Sequence, residues 1–530
     1  MIDQQQPNTS TAANDVAVQG TVSTASTALS VSQAEVVSNN SSSWDYCSIA
    51  ELSKALRTRR ISASELVSHT IDRIEVLDER INAVVVRDFE RARLSAAAAD
   101  IALAKGERRP LLGIPVTIKE AFNVAGLPTT WGFPQFKNFI AKEDAVVVSR
   151  LRESGAVILG KTNVPIGLGD FQSYNDVYGT TCNPWDLGRS PGGSSGGSAA
   201  ALAAGFGPLS FGSDIGGSLR MPAHFCGVYA HKPTYGLIPF RGYNRPPSAP
   251  LAHGSDLAVV GPMARCAADL SLALNAVAGP DREYGGTAYR LELPPARHDD
   301  LRSFRVLVVD THPLVPTDSA VRSAISRLSG RLIKAGAKVE QNSALLPNLA
   351  GSARLYMELL AAVKGADFSP DSYVAAQHAA AALTSDDKCL EARLTCGAVM
   401  SHRDWIAADL ARARLQQDWH TLFRDWDIVL YPPAAVPAFP HDHSLPMEAR
   451  HLDIDGKPYP FRDACFVWAD PASTCGLPVT AAPIDLSPTG LPIGIQIIGP
   501  SLEDRTTIAF AELMEREFGG FVPPPGYVGL

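Results

Sequence analysis

The sequence predicts an α/β layered domain with a largely buried sheet. Short apolar runs alternate with helical patterns along most of the chain. Those runs are continuous rather than alternating, as in strands covered on both faces. The 530 residues are 45% hydrophobic and 19% charged, enough apolar material for a large core.

The elements follow in order. Ser62-Ala-Ser-Glu65 has capping-box spacing and precedes Leu66, Ile71, Ile74 and Leu77 at helical intervals. Ala83 to Val86 reads as a short buried strand, and Leu112 to Ile118 as another running into Lys119. Asp144 to Ser154 reads as a helix, and Ala156 to Leu159 as a strand after Gly155. Residues 316–425 are mostly helical by pattern, with Ala361–Leu383 and Trp405–Trp419 as a cap over the core. Leu491 to Ile498 returns to a strand. No repeat of fixed period is present.

Residues 1–43 are rich in Ser, Thr, Ala, Gln, Asn and Val, and the first basic residue is Lys54. With few large apolar groups to offset ordering entropy, this stretch is expected to be a disordered tail, or an arm that orders against a partner chain. It lacks the basic and apolar regions of a secretory signal and the arginines of a transit peptide. No run of 18 residues is free of charges and turn-formers, which excludes a spanning helix. The formal charge of −8 argues against nucleic acid or an anionic membrane as the main partner. Eight cysteines with no C-x-x-C pair read as reduced thiols, so a cytoplasmic setting is expected.

Chemistry concentrates in residues 192–218. Nine of these 27 residues are glycine, against 42 in the whole chain. A flexible linker is the simplest explanation. However, Ser198 to Gly205 has a compact Ala/Leu helix pattern and Pro208 to Phe211 is strand-like, so the glycines punctuate packed structure. Such a loop can aim several N–H groups at one point. Three polar residues stand out: Ser218 after Ile215-Gly-Gly217, Ser194 after Gly192-Gly193, and Lys119 at the end of an apolar strand. Taken singly, the serines read as turn residues and the lysine as one that snorkels to solvent.

The order of further motifs decides between these readings. Gly126-Leu-Pro-Thr-Thr130, Gly155-Ala-Val-Ile-Leu-Gly-Lys-Thr-Asn163 and Asn183-Pro-Trp185 precede the glycine-serine core. Ser218-Leu-Arg-Met-Pro-Ala223, Cys226-Gly227, His231-Lys-Pro-Thr234, Gly261-Pro-Met-Ala-Arg265 and Gly490-Leu-Pro-Ile-Gly-Ile-Gln-Ile-Ile-Gly-Pro500 follow it. In these pieces the chain resembles the amidase signature family of serine hydrolases. The resemblance implies a three-layer α/β/α sandwich around a large mixed sheet. The amidase domain would span residues 44–530, with its catalytic core at about 112–265. It also implies Ser218 as nucleophile, Ser194, 24 residues earlier, as bridging serine, and Lys119, 99 residues earlier, as base. Leu168 and Gly169 are implied as substrate-pocket residues. Glu120 departs from the aspartate that many members carry after the lysine. The implied reaction is hydrolysis of a carboxylic amide, with carbamates and esters as further candidates, through an acyl-serine. No cofactor or metal is implied; the partners are a small-molecule amide and, by resemblance alone, a second copy of the chain.

The chemistry agrees with these roles. A serine hydroxyl needs a base to attack an amide. A lysine serves only when neutral, which a dry, unpaired site enforces. Ser194 can relay a proton from Ser218 to Lys119 and return it to the departing amine. Backbone N–H groups of Ile215, Gly216, Gly217 and Ser218 would hold the oxyanion. Asp214 and Arg220 would hold the loop by pairing.

Other readings are weaker. Gly192 to Gly196 also satisfies G-x-S-x-G, but no histidine is marked out as its partner. His441-Asp-His443 lies in a proline-rich loop without further ligands. No phosphate-binding motif is present. Two other functions share the motifs: the glutaminase component of a tRNA-dependent amidotransferase, and a catalytically dead binding module.

Overall fold

A computed structural model describes residues 44–251, 254–384 and 387–528. The expected tail, residues 1–43, lies outside the described residues.

Eleven strands form one mixed sheet. Their spatial order is Val84–Arg87, Val157–Thr162, Pro115–Lys119, Leu209–Asp214, Val259–Ala264, Tyr229–Lys232, Val479–Leu486, Pro492–Ile498, Ile428–Tyr431, Arg305–Val308 and Lys338–Glu340. Pro115–Lys119 runs parallel to both its neighbours, whereas Leu209–Asp214 and Val259–Ala264 are antiparallel. The period-2 alternation of strand side chains divides the apolar residues between two cores. Val306, Val308, Ile428 and Leu430 enter one, and Leu307, Val309, Val429 and Tyr431 the other. Helices cover both faces, which makes the three-layer sandwich. The capping box at Ser62 forms reciprocally with Glu65 and starts the helix Ala63–Ile81, whose Leu66, Ile71, Ile74 and Leu77 are buried.

The helical region is less uniform than its pattern suggests. Helix Ser319–Lys334 packs Val321, Ile325, Leu328 and Leu332 into the first core and is followed by the edge strand Lys338–Glu340. Helices Leu349–Gly365 and His402–Asp425 bury Tyr356, Leu360, Leu415 and Trp419 in the second core. The stretch Ala361–Leu383, expected within a helical cap, holds the end of one helix and the whole of another: Ser369 caps a new helix, Pro370–Ala381, with proline in its first turn. Among the described residues, no helix is long and apolar enough to cross a membrane.

Candidate active site

Parallel pairing places Ile118 opposite Phe211, so Lys119, the last residue of its strand, and Ser213, the last but one of its own, lie at the carboxyl ends of two neighbouring strands. This carboxyl edge is where α/β sheets gather ligands. Helix Gly196–Ala203 starts directly after Ser194 and Ser195 and delivers both hydroxyls to that edge. Its approach requires glycine. A side chain at Gly193 would lie 2.4 Å from the Asp170 carbonyl oxygen, and one at Gly197 2.4 Å from the Asn163 nitrogen. The Gly193–Ser194 peptide is cis.

Lys119 Nζ lies in hydrogen-bond contact with three hydroxyls: Ser194 Oγ at 2.7 Å, Ser213 Oγ at 2.8 Å and Ser195 Oγ at 2.9 Å. Lys119 is 0% exposed, Ser194 2% and Ser218 6%, so all three groups are buried. No carboxylate pairs with Lys119 among the described residues. Burial pushes its pKa well below the ordinary lysine value, with Asp214 acting in the opposite sense. The Asp214 charge is already committed. Arg220 donates Nε to Asp214 Oδ2 at 3.0 Å and Nη2 to Oδ1 at 2.8 Å. The other guanidinium hydrogens go to Ala469 O, Gln496 Oε1 and Ser473 Oγ, which uses all five donors. Burial alone would raise the Asp214 pKa, but Arg220 and backbone donors hold it at about 2.

The loop leading into Ser218 departs from expectation at one residue. Gly217 N–H is donated to Asp214 Oδ1 at 2.9 Å, so it is not a free oxyanion donor. The cause is the Asp214 side chain, which folds back under the loop and also accepts Leu219 N–H at 3.0 Å. The N–H groups of Ile215, Gly216 and Ser218 have no acceptor among the described residues. Ser218 is tied to the Ser194–Ser195 segment through its backbone, Ser195 N–H to Ser218 O at 3.2 Å. Its hydroxyl has no hydrogen bond to Ser194 among the described residues. Such contacts commonly tighten only with substrate in place.

Leu168 and Gly169 stand at a turn and make no hydrogen bond to Lys119, Ser194 or Ser218 among the described residues. They precede Asp170–Gln172, whose backbone closes on Gly193. The residues packed against the Ile215–Gly216 loop come from farther along the chain. Tyr356 Oη donates to Ile215 O at 3.0 Å. A side chain at Gly216 would meet the Phe466 ring at 2.9 Å. Phe466 in turn packs edge-on against Phe171, with centroids 4.7 Å apart. Glu120 points away from the site. Its carboxylate accepts Thr130 N–H at 2.6 Å, Trp131 N–H at 3.0 Å and Tyr178 O–H at 3.1 Å, which anchors the neighbouring loop. His443 stacks on Tyr174, so the His441-Asp-His443 loop is packed rather than free.

Ser195, Ser213 and Tyr243, whose hydroxyl is hydrogen-bonded to Ser213 Oγ, were not singled out by sequence. Ser195 carried a signal, being the second serine of Gly192-Gly-Ser-Ser-Gly196. Ser213 could have been found from the parallel pairing once the strands were placed. Tyr243 carried none.

The sequence matches the family described as Amidase over residues 65–508. The chain belongs to this family. Human fatty-acid amide hydrolase 2 is 32% identical over 513 residues, 89% of each chain. The A subunit of glutamyl-tRNA(Gln) amidotransferase from Geobacter sp. (strain M21) is 31% identical over 494 residues, 88% of this chain and 96% of that one. Among solved structures, a bacterial aryl acylamidase of the amidase signature family superposes with a TM-score of 0.74 at 25% identity, covering 89% of this chain and 96% of the other.

Proposed function

We propose that this amidase hydrolyses a carboxylic amide to a carboxylate and ammonia or an amine through an acyl-Ser218 intermediate. Lys119, Ser194 and Ser218 act in that order as base, relay and nucleophile. The observation that carries this reading is the buried Lys119 amine, without a counter-ion among the described residues, 2.7 Å from Ser194 Oγ. In a charged state that lysine would bear a large desolvation cost and would face the positive end of helix Gly196–Ala203. As a neutral amine it accepts a proton from Ser194 while Ser194 takes one from Ser218. The deprotonated Ser218 oxygen attacks the carbonyl carbon, and the N–H groups of Ile215, Gly216 and Ser218 receive the oxyanion. Reversal of the relay protonates the leaving nitrogen as the C–N bond breaks. Water then repeats the sequence on the acyl-serine.

The residues packed over the Ser218 loop, Phe171, Tyr356 and Phe466, are aromatic, which supports apolar acyl or aryl groups over small polar ones in the substrate. Leu168 and Gly169 belong to the segment leading to this wall. The setting is cytosolic on our reading, supported by eight cysteines without C-x-x-C spacing in a chain of 530 residues.

The test is turnover of a panel of amides, anilides, carbamates and esters by the purified chain, with the carboxylate product quantified. Turnover without a second protein is expected. A second reading, the glutaminase component of an amidotransferase, is favoured by the similarity to the Geobacter protein. Glutamine as the best substrate of the panel, with activity dependent on an added partner, would replace the first reading by the second.

A further inference from the structure

We infer that Lys364 selects amides whose apolar body carries a carboxylate, by receiving that carboxylate beside the aromatic residues over the Ser218 loop. This names a substrate class for the site proposed above and rests on that reading. Lys364 is the penultimate residue of helix Leu349–Gly365, whose Tyr356 donates to Ile215 O. Its Nζ stands over the Phe466 ring, 5.5 Å from the centroid. A side chain at Gly216 would meet the edge of the same ring at 2.9 Å. One phenyl ring therefore has the Ser218 loop at its edge and an ammonium on its face. A substrate with its carbonyl at Ser218 and an apolar body of a few carbon atoms would bring its far end to this cation.

The neighbours of Lys364 leave its charge unspent. Its amine has neither a hydrogen bond nor a carboxylate within ion-pair distance among the described residues. The carboxylates around it are paired elsewhere. Asp170 pairs with Arg450 at 2.7 Å, Glu358 with Arg393 at 3.1 Å and Asp367 with Arg245 at 3.3 Å. Glu448 and Glu391 share Arg462. Solvent reaches Lys364, and the surrounding protein still desolvates its amine. That desolvation and the like charge of Arg462 lower its pKa to about 8, with Asp170 and Glu448 acting in the opposite sense. Such a group stands in a cleft rather than on an open face. It remains mostly protonated at neutral pH, and an incoming carboxylate supplies the charge-assisted hydrogen bonds that the protein does not.

The experiment uses two series of paired amides on the full chain. In the first, ω-carboxyacyl p-nitroanilides of rising chain length are paired with plain acyl p-nitroanilides of the same length. In the second, N-acyl-4-aminobenzoates are paired with N-acyl anilines, which puts the carboxylate on the amine side. The readout is the ratio of kcat/KM within each pair, in which effects common to both members cancel. The parent should favour the carboxylate member of one series by about 10-fold, the scale of a charge-assisted hydrogen bond, chiefly through KM. Lys364→Met should bring that ratio close to one, Lys364→Arg should keep most of it, and Lys364→Glu should reverse it toward ω-aminoacyl members. In the parent the ratio should fall as pH rises through about 8, where the ammonium is lost and the substrate carboxylate stays ionised. This last arm needs no variant. Equal turnover within every pair, a preference that survives Lys364→Met, or a ratio that does not change through pH 8 would overturn the inference. A parent that turns over no member of either series and leaves Ser218 unlabelled by a fluorophosphonate would instead remove the amidase reading, and the inference with it.

Discussion

Ser218→Ala is expected to lower kcat for amide hydrolysis by at least about 10⁴-fold, the scale seen when a nucleophile that acts as a unit with its base is removed. Its fold should be unaffected. The Ser218 hydroxyl has no hydrogen bond among the described residues, so its removal leaves no buried partner unsatisfied. The loop is held by other groups: Asp214 on the Gly217 and Leu219 N–H groups, and Tyr356 on the Ile215 carbonyl. Thermal unfolding of the variant should overlay that of the parent. Mass spectrometry after fluorophosphonate treatment should find the label on Ser218 in the parent and nowhere in the variant. Full turnover by Ser218→Ala would assign the chemistry to another group.

Arg220→Met should produce the largest loss of stability, about 3–5 kcal/mol, the cost of leaving a buried charge without its partner. The substitution strands Asp214 together with Gln496 Oε1, Ser473 Oγ and the Ala469 carbonyl, all of which Arg220 now serves. Urea unfolding followed by fluorescence gives the measurement, and an unchanged midpoint would refute the stabilising role. The pH dependence has a definite sign. In the parent, Asp214 is held at about 2 against an ordinary 3.8. A depressed carboxyl contributes stability that is fully present above its ordinary value and is lost as pH falls toward its folded value. In Arg220→Met the same carboxyl loses its counter-ion and keeps only the Gly217 and Leu219 N–H groups and the field of Lys232, so its pKa rises. The destabilisation relative to the parent should therefore shrink as acid protonates it.

What was legible in the sequence was local. The Ser62–Glu65 capping box, the apolar strands and the Gly/Ser punctuation around Ser194 and Ser218 are short-range patterns, and the structure realises them as a helix start, sheet strands and a close-packed loop. The motif order identified the family and with it the mixed-sheet sandwich. What escaped was convergence. Ser213 is 94 residues from Lys119, and only the parallel register of two strands brings them together. Tyr243 lies on a loop with no pattern of its own, 30 residues from the serine it contacts. Tyr356 covers the nucleophile loop from 141 residues away. Gly217 was misassigned because sequence shows a glycine turn but not which acceptor lies beneath it. The helix break at Ser369-Pro370 was readable, since serine before proline is a helix-start signal, but the alanine-rich run on either side masked it.

The central claim is that an uncharged Lys119 draws the proton from Ser218 by way of Ser194. Its most direct measurement is the pH dependence of Ser218 phosphonylation in the parent and in Lys119→Met. The parent rate should climb along an acid limb placed well below the ordinary lysine range, as burial of the amine requires, and then level off. Lys119→Met should react orders of magnitude more slowly, with that limb gone. A variant that keeps the parent's limb and rate would show that another group, and not Lys119, activates the serine.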